Sequence, residues 1–192
     1  MSNVVTEEHV QYCFNVLIAH LKKEPFPNPT FRNDEYPLFV TWHKQYADGQ
    51  HHLRGCIGNF APLHLHEGLR KYALISALKD RRFSPIQLEE VPSLTCAVSL
   101  LTNFEVADNY LDWQVGKHGI WIEFKQQNGQ TETATYLPEV IKEQQWTKEE
   151  AIESLLRKGD FKGKITTEYC LNSITLTRYQ SQKLEMPYKG TI

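Results

Sequence analysis

The sequence predicts an α+β fold with largely antiparallel sheets, and three observations predict it. Two strand-like pairs are each joined by a two-residue turn signal, Asp48-Gly49 and Asn128-Gly129, the short connection that only antiparallel neighbours allow. Segments with helical spacing stand around these hairpins instead of alternating strictly with single strands, which argues against a parallel sheet. The chain has 192 residues, 41% of them hydrophobic, enough for the core of one domain.

The elements follow in order. Thr6 is a helix N-cap, Glu7 and Glu8 fill the first turn, and Val10, Cys13, Phe14, Leu17, Ile18 and Leu21 form one apolar stripe; the proline-rich PFPNP stops the helix near Glu24. YPLFVTWHKQY and HHLRGCIGNF read as the first strand pair. LHLHEGLRKYALISALKD reads as a second helix with Leu65, Leu69, Tyr72, Ala73, Ser76 and Ala77 facing inward. After a turn-rich connection, SLTCAVSLLTNFEV alternates at Leu94, Cys96, Val98 and Leu100, the pattern of a half-buried strand with Cys96 in the core. KHGIWIEFKQQNGQTETATYL is the second hairpin. Pro138 opens a short helix, Thr147 and Glu150 form a capping box for TKEEAIESLLRK, and Gly159 closes it. LNSITLTRYQ is the last strand, and the tail beyond it is expected to be loosely held.

Composition narrows the function classes. A formal net charge of −2 offers little phosphate neutralisation, so a nucleic-acid partner is not expected. No run approaches the roughly 18 apolar residues of a membrane span, and MSNVVTEEHV lacks the profile of a signal peptide, which points to the cytosol or nucleus and to no membrane partner. The four cysteines carry no Cys-x-x-Cys pair and fit reduced thiols in that compartment. His51 and His52 face opposite ways on a strand and His64-x-His66 diverges on a helix, so no metal site is assigned, and no cofactor is named.

The stretch LRGCIG carries the most chemistry. A core strand has little use for two glycines, which mark a bulge, a bend or a close approach by protein or ligand. Alternation places His52, Arg54 and Cys56 on one face and Leu53 and Ile57 on the other. An arginine two residues from a thiol lies about 7 Å away at the backbone, and its guanidinium favours the thiolate. Gly55 and Gly58 would let a ligand reach the backbone N–H groups. Two alternatives stand beside this: Cys56 is a buried structural thiol, and Arg54 forms a structural ion pair where the functional reading has it hold an anion. A bulge at Gly55 would break the shared face.

With these residues in hand, the sequence resembles the AMMECR family, named for the AMME syndrome chromosomal region. LRGCIG is its most specific signature, and EYPLFVTWHK, SALKDRRFSP, SLLTNF, DWQVGKHGIWIEF, TATYLPEVIKEQQW and SLLRKGDFKG resemble its eukaryotic branch in the same order over nearly the whole chain. The resemblance implies one domain of two lobes, the larger from both chain ends and the smaller from the middle, with a cleft between them. Among the matching positions are Arg54, Gly55, Cys56 and Gly58, then Asp80 and Arg82, His118, and Glu139. His52 falls outside the signature, which leaves His118, Asp80 or Glu139 as acid-base candidates. The resemblance names no reaction, since the family has no settled biochemical activity.

Two functions follow as expectations. In the first, a cleft centred on Arg54 and Cys56 binds a small ligand or a modified residue. If it is catalytic, Cys56 is the nucleophile, His118 or Asp80 moves a proton, and Arg54, Gly55, Gly58, Arg82 and Glu139 bind. In the second, the chain is a non-catalytic regulatory or adaptor protein acting through a protein partner, because no complete triad, metal set or phosphate loop is written in the sequence.

Overall fold

The computed structural model describes residues 3–190. Its strands are β1 (Glu35–Gln45), β2 (His51–His64), β3 (Leu94–Val106), β4 (Gly119–Lys125), β5 (Thr131–Tyr136) and β6 (Ile174–Pro187). They form one antiparallel sheet in the order β2-β1-β3-β6-β4-β5. The helices are α1 (Glu7–Lys22), α2 (Leu65–Leu78), α3 (Pro138–Glu143), α4 (Lys148–Lys158) and α5 (Thr167–Ser173), with a 3-10 turn at Leu88–Ser93. This is the α+β class that the two hairpin signals predict.

The contacts divide the chain into two compact units. The first runs to Leu101 and takes up the chain again from Gln182, and the second is Thr102–Ser181. In the first unit, β1 alternates cleanly: Leu38, Val40 and Trp42 are fully buried against α1 and α2, while Phe39, Thr41 and His43 point to the other face of the sheet. Trp42 anchors this core. Its ring meets Phe14 of α1 edge to face at 5.2 Å, and its Nε1 donates to Ser76 Oγ at 3.0 Å. That bond explains why a polar residue lies on the buried face of α2. In the second unit, Ile120, Ile122 and Phe124 of β4 pack with Leu155 and Leu156 of α4 and Ile141 of α3. Thr147 caps α4 by accepting from the Glu150 N–H at 3.2 Å while the Glu150 carboxylate accepts from the Thr147 N–H at 2.8 Å.

Both hairpin turns place glycine where the sequence expects it, Gly49 at φ 79° and Gly129 at φ 82°. Three expectations are corrected. From Leu94 to Leu101, β3 is buried at every residue, on both faces, because it lies between β1 and β6 and shows small residues such as Ala97 and Ser99 on its second face. The tail beyond Gln180 continues β6 to Pro187, with Leu184 and Met186 entering the core and the Tyr188 N–H donating to Leu94 O at 3.0 Å. The sequence hides α5, which is too short to show a period and is held at its start by Thr166 Oγ1 accepting from the Tyr169 N–H. Gly159 closes α4 as the sequence expects, at φ −81°, and the left-handed residue is its neighbour Asp160.

Candidate ligand-binding site around Cys56

The first correction at LRGCIG is one of register. Trp42 faces Gly55 and the next residue, His43, faces Leu53, so Arg54 is an extra residue, a β-bulge. The bulge breaks the alternation that would have set Arg54 beside the Cys56 thiol. Arg54 instead turns inward, 6% exposed, where its Nε and Nη2 each donate to Glu90 at 3.1 Å and its Nη1 to Ser84 O at 2.7 Å. Glu90 also receives Lys44 Nζ at 2.8 Å and the Gln87 N–H at 2.9 Å. Burial raises the Glu90 carboxyl, but these donors outweigh it and hold the group at about 2. Arg54 is therefore committed to a bidentate ion pair that ties β2 to the 3-10 turn.

The glycines answer the question of what approaches them. A Cβ on Gly55 would land on the Ser76 carbonyl oxygen of α2, and one on Gly58 would meet Leu38 O and the Phe39 ring. Protein fills both spaces, so their role in the structure is close packing.

Cys56 stands opposite Thr41, whose hydroxyl donates to its sulfur at 3.1 Å. β2 lies at the edge of the sheet, so alternate residues show their backbone groups to the outside. At Cys56 both are taken. Its N–H donates to Asp80 Oδ2 at 3.0 Å, and its carbonyl accepts from Arg82 Nη2 at 3.3 Å. Asp80 in turn holds Arg82 through Nη2 at 2.7 Å and Nε at 3.0 Å, and hydrogen bonding to this guanidinium keeps the Asp80 carboxyl well below the usual carboxylate range. The pair DRR and the signature LRGC are thus parts of one device, a side-chain clasp that takes the place of a neighbouring strand. Arg82 remains partly exposed, and none of its hydrogen bonds among the described residues uses Nη1.

Of the four cysteines, Cys13, Cys96 and Cys170 are buried, and Cys56 is half-buried. Burial pushes its thiol up, with the Thr41 hydroxyl and the Arg82 charge partly offsetting that effect. The expectation of a thiolate stabilised by Arg54 is corrected on both counts: the arginine that acts on Cys56 is Arg82, and the thiol is neutral at pH 7.

The profile of the AMMECR1 family matches residues 10–184. The chain belongs to the AMMECR1 family. Within it, the chain is 52% identical over 182 residues to an uncharacterized protein of Arabidopsis thaliana, covering 94% of this chain and 85% of that one. It is 37% identical to an uncharacterized protein of Saccharomyces cerevisiae, over 82% of this chain and 70% of its relative. Among solved structures, an uncharacterized protein of Pyrococcus horikoshii superposes with a TM-score of 0.75 at 26% identity, over 98% of this chain and 94% of that one.

The remaining predicted residues of this AMMECR1 domain lie in the second unit. His118 is buried, and its Nδ1 accepts from the Gln114 N–H at 3.0 Å, which puts the ring proton of the neutral form on Nε2. Burial, with Lys117 and Arg178, lowers its pKa. Glu139 lies in the first turn of α3, and one of its carboxylate oxygens is buried with no hydrogen-bond partner among the described residues. Sequence reasoning missed Thr41, His43, Lys44 and Glu90. Thr41 and His43 were legible as the polar positions of VTWHK, but Glu90 sits in a turn with no periodicity to read. Among the described residues no helix is long and apolar enough to cross a membrane.

Proposed function

We propose that this AMMECR1-family protein binds a small ligand or a modified side chain at Cys56, on the face of the first unit's sheet turned away from α1 and α2. One observation carries the reading: the Asp80 carboxylate, 7% exposed, holds both the Cys56 N–H and the Arg82 guanidinium. A half-buried thiol and an arginine with donors to spare are thereby fixed side by side. Arg82, its side chain 57% exposed, supplies the recognition of an anionic group that the sequence reading gave to Arg54, which is buried against Glu90 and Ser84. The neutral thiol suits contact with a ligand, and Thr41 orients it.

The test is the alkylation rate of each cysteine by iodoacetamide as a function of pH, with the modified sites assigned by mass spectrometry. Cys56 is expected to react faster than Cys13, Cys96 and Cys170, with a midpoint above the free-thiol value of about 8.5. Arg82→Gln moves that midpoint higher still. A Cys56 as inert as Cys96 would mean that LRGCIG is chiefly architectural and that ligand binding lies elsewhere.

A further inference from the structure

The sheet face that carries Cys56 also carries His43, whose Nδ1 is buried without a hydrogen bond among the described residues. On β1, His43 follows Thr41 by two residues and so points to the same face, while Trp42 between them is buried in the core. Across the sheet, Lys183 and Glu185 of β6 also lie opposite the core, since Leu184 packs against it and Met186 is part of it. Among the described residues His43 Nδ1, which is buried, makes no hydrogen bond, and an acid, Glu185 Oε1, stands 3.8 Å away. That gap is too long for a hydrogen bond, and one nitrogen or oxygen set to the side of the line between them reaches both at about 2.8 Å. The other Glu185 oxygen is taken by Lys183 Nζ at 3.2 Å.

The charged groups that act on His43 are Glu185, Lys183 and His51, and burial keeps its ring neutral at pH 7. The Lys183 charge acts on Cys56 as well as on His43. A buried histidine nitrogen ordinarily finds a hydrogen-bond partner, as His66 Nε2 does with Phe31 O at 2.6 Å. Among the described residues His43 Nδ1 has none, and it stands on the face where the proposed ligand binds.

Building on the reading of Cys56 as a ligand-contacting thiol, we propose that His43 and Glu185 form the hydrogen-bonding end of the same site. The ligand they take is a small molecule or side chain bearing an amino or hydroxyl group that bridges the two, with its anionic end towards Arg82. His43 is then a binding residue for that group.

A charge placed on Cys56 tests this in the wild-type protein. Iodoacetate leaves a carboxymethyl group with a negative charge, and iodoacetamide leaves a neutral carboxamidomethyl group of the same size. The His43 ring is titrated by NMR in both adducts, with His43→Gln used only to assign its resonance. If His43 shares the space of the thiol, its pKa is higher in the carboxymethyl adduct by about half a pH unit or more. Equal His43 pKa values in the two adducts overturn the inference and leave the Cys56 reading standing. A Cys56 that neither reagent modifies overturns both.

Discussion

Replacing Glu90 by Gln tests whether the buried ion pair of the signature arginine holds the first unit together. Glutamine keeps the size and an acceptor oxygen but leaves Arg54 and Lys44 facing a neutral group. The wild-type carboxyl titrates at about 2 in the folded protein against 4.5 unperturbed. That gap is worth about 3 kcal/mol at roughly 1.4 kcal/mol per pH unit. Glu90 has a side chain only 16% exposed, so solvent screening removes little of this. The figure agrees with the cost of about 3–5 kcal/mol for leaving a buried charge unpaired. Because the folded carboxyl is the stronger acid, the contribution is complete above the unfolded value of 4.5 and fades as pH falls towards 2. Urea unfolding followed by tryptophan fluorescence, run on both proteins from pH 7 to pH 3, gives the difference directly, since the other carboxylates cancel. The variant is expected to be less stable by about 3 kcal/mol at pH 7 and by roughly half of that at pH 3. A loss below about 1 kcal/mol at pH 7, or one that stays flat across the range, refutes the assignment.

Two further substitutions probe the packing and the caps. Gly55→Ala sets a methyl group against a backbone oxygen of α2 that has no rotamer to yield, so β2 or the end of α2 must shift. A loss of about 3 kcal/mol or more in thermal unfolding is expected, and a loss below about 1 kcal/mol means that the helix end gives way freely. Thr147→Ala removes the acceptor of the Glu150 N–H at the start of α4. It should cost about 1 kcal/mol in the same assay, while Thr147→Ser retains nearly the wild-type midpoint.

The sequence was readable wherever a local rule decides the structure. The caps at Thr6 and Thr147, the turns at Gly49 and Gly129 and the apolar stripe of α2 are each fixed by residues within a few positions of one another. It was misread where burial comes from distant chain. The second face of β3 is closed by its neighbours in the sheet, and the C-terminal residues are ordered only because β6 joins that sheet. At the site, the motif showed that Arg54, Gly55, Cys56 and Gly58 are unusual and left open what each one meets. One inserted residue at Arg54 decided that, by turning the arginine into the protein and leaving the thiol to Thr41 and Arg82.

What the sequence by itself determined is the α+β class, the family and the order of most elements, since these rest on periodicity, turn chemistry and a motif contiguous in the chain. Only the tertiary structure decided the partners: Glu90 for Arg54, Asp80 and Arg82 for the backbone of Cys56, Ser76 against Gly55. The physical reason is that hydrogen bonds, ion pairs and steric contacts act over a few ångströms, and the groups that meet within that range come from segments 20 or more residues apart.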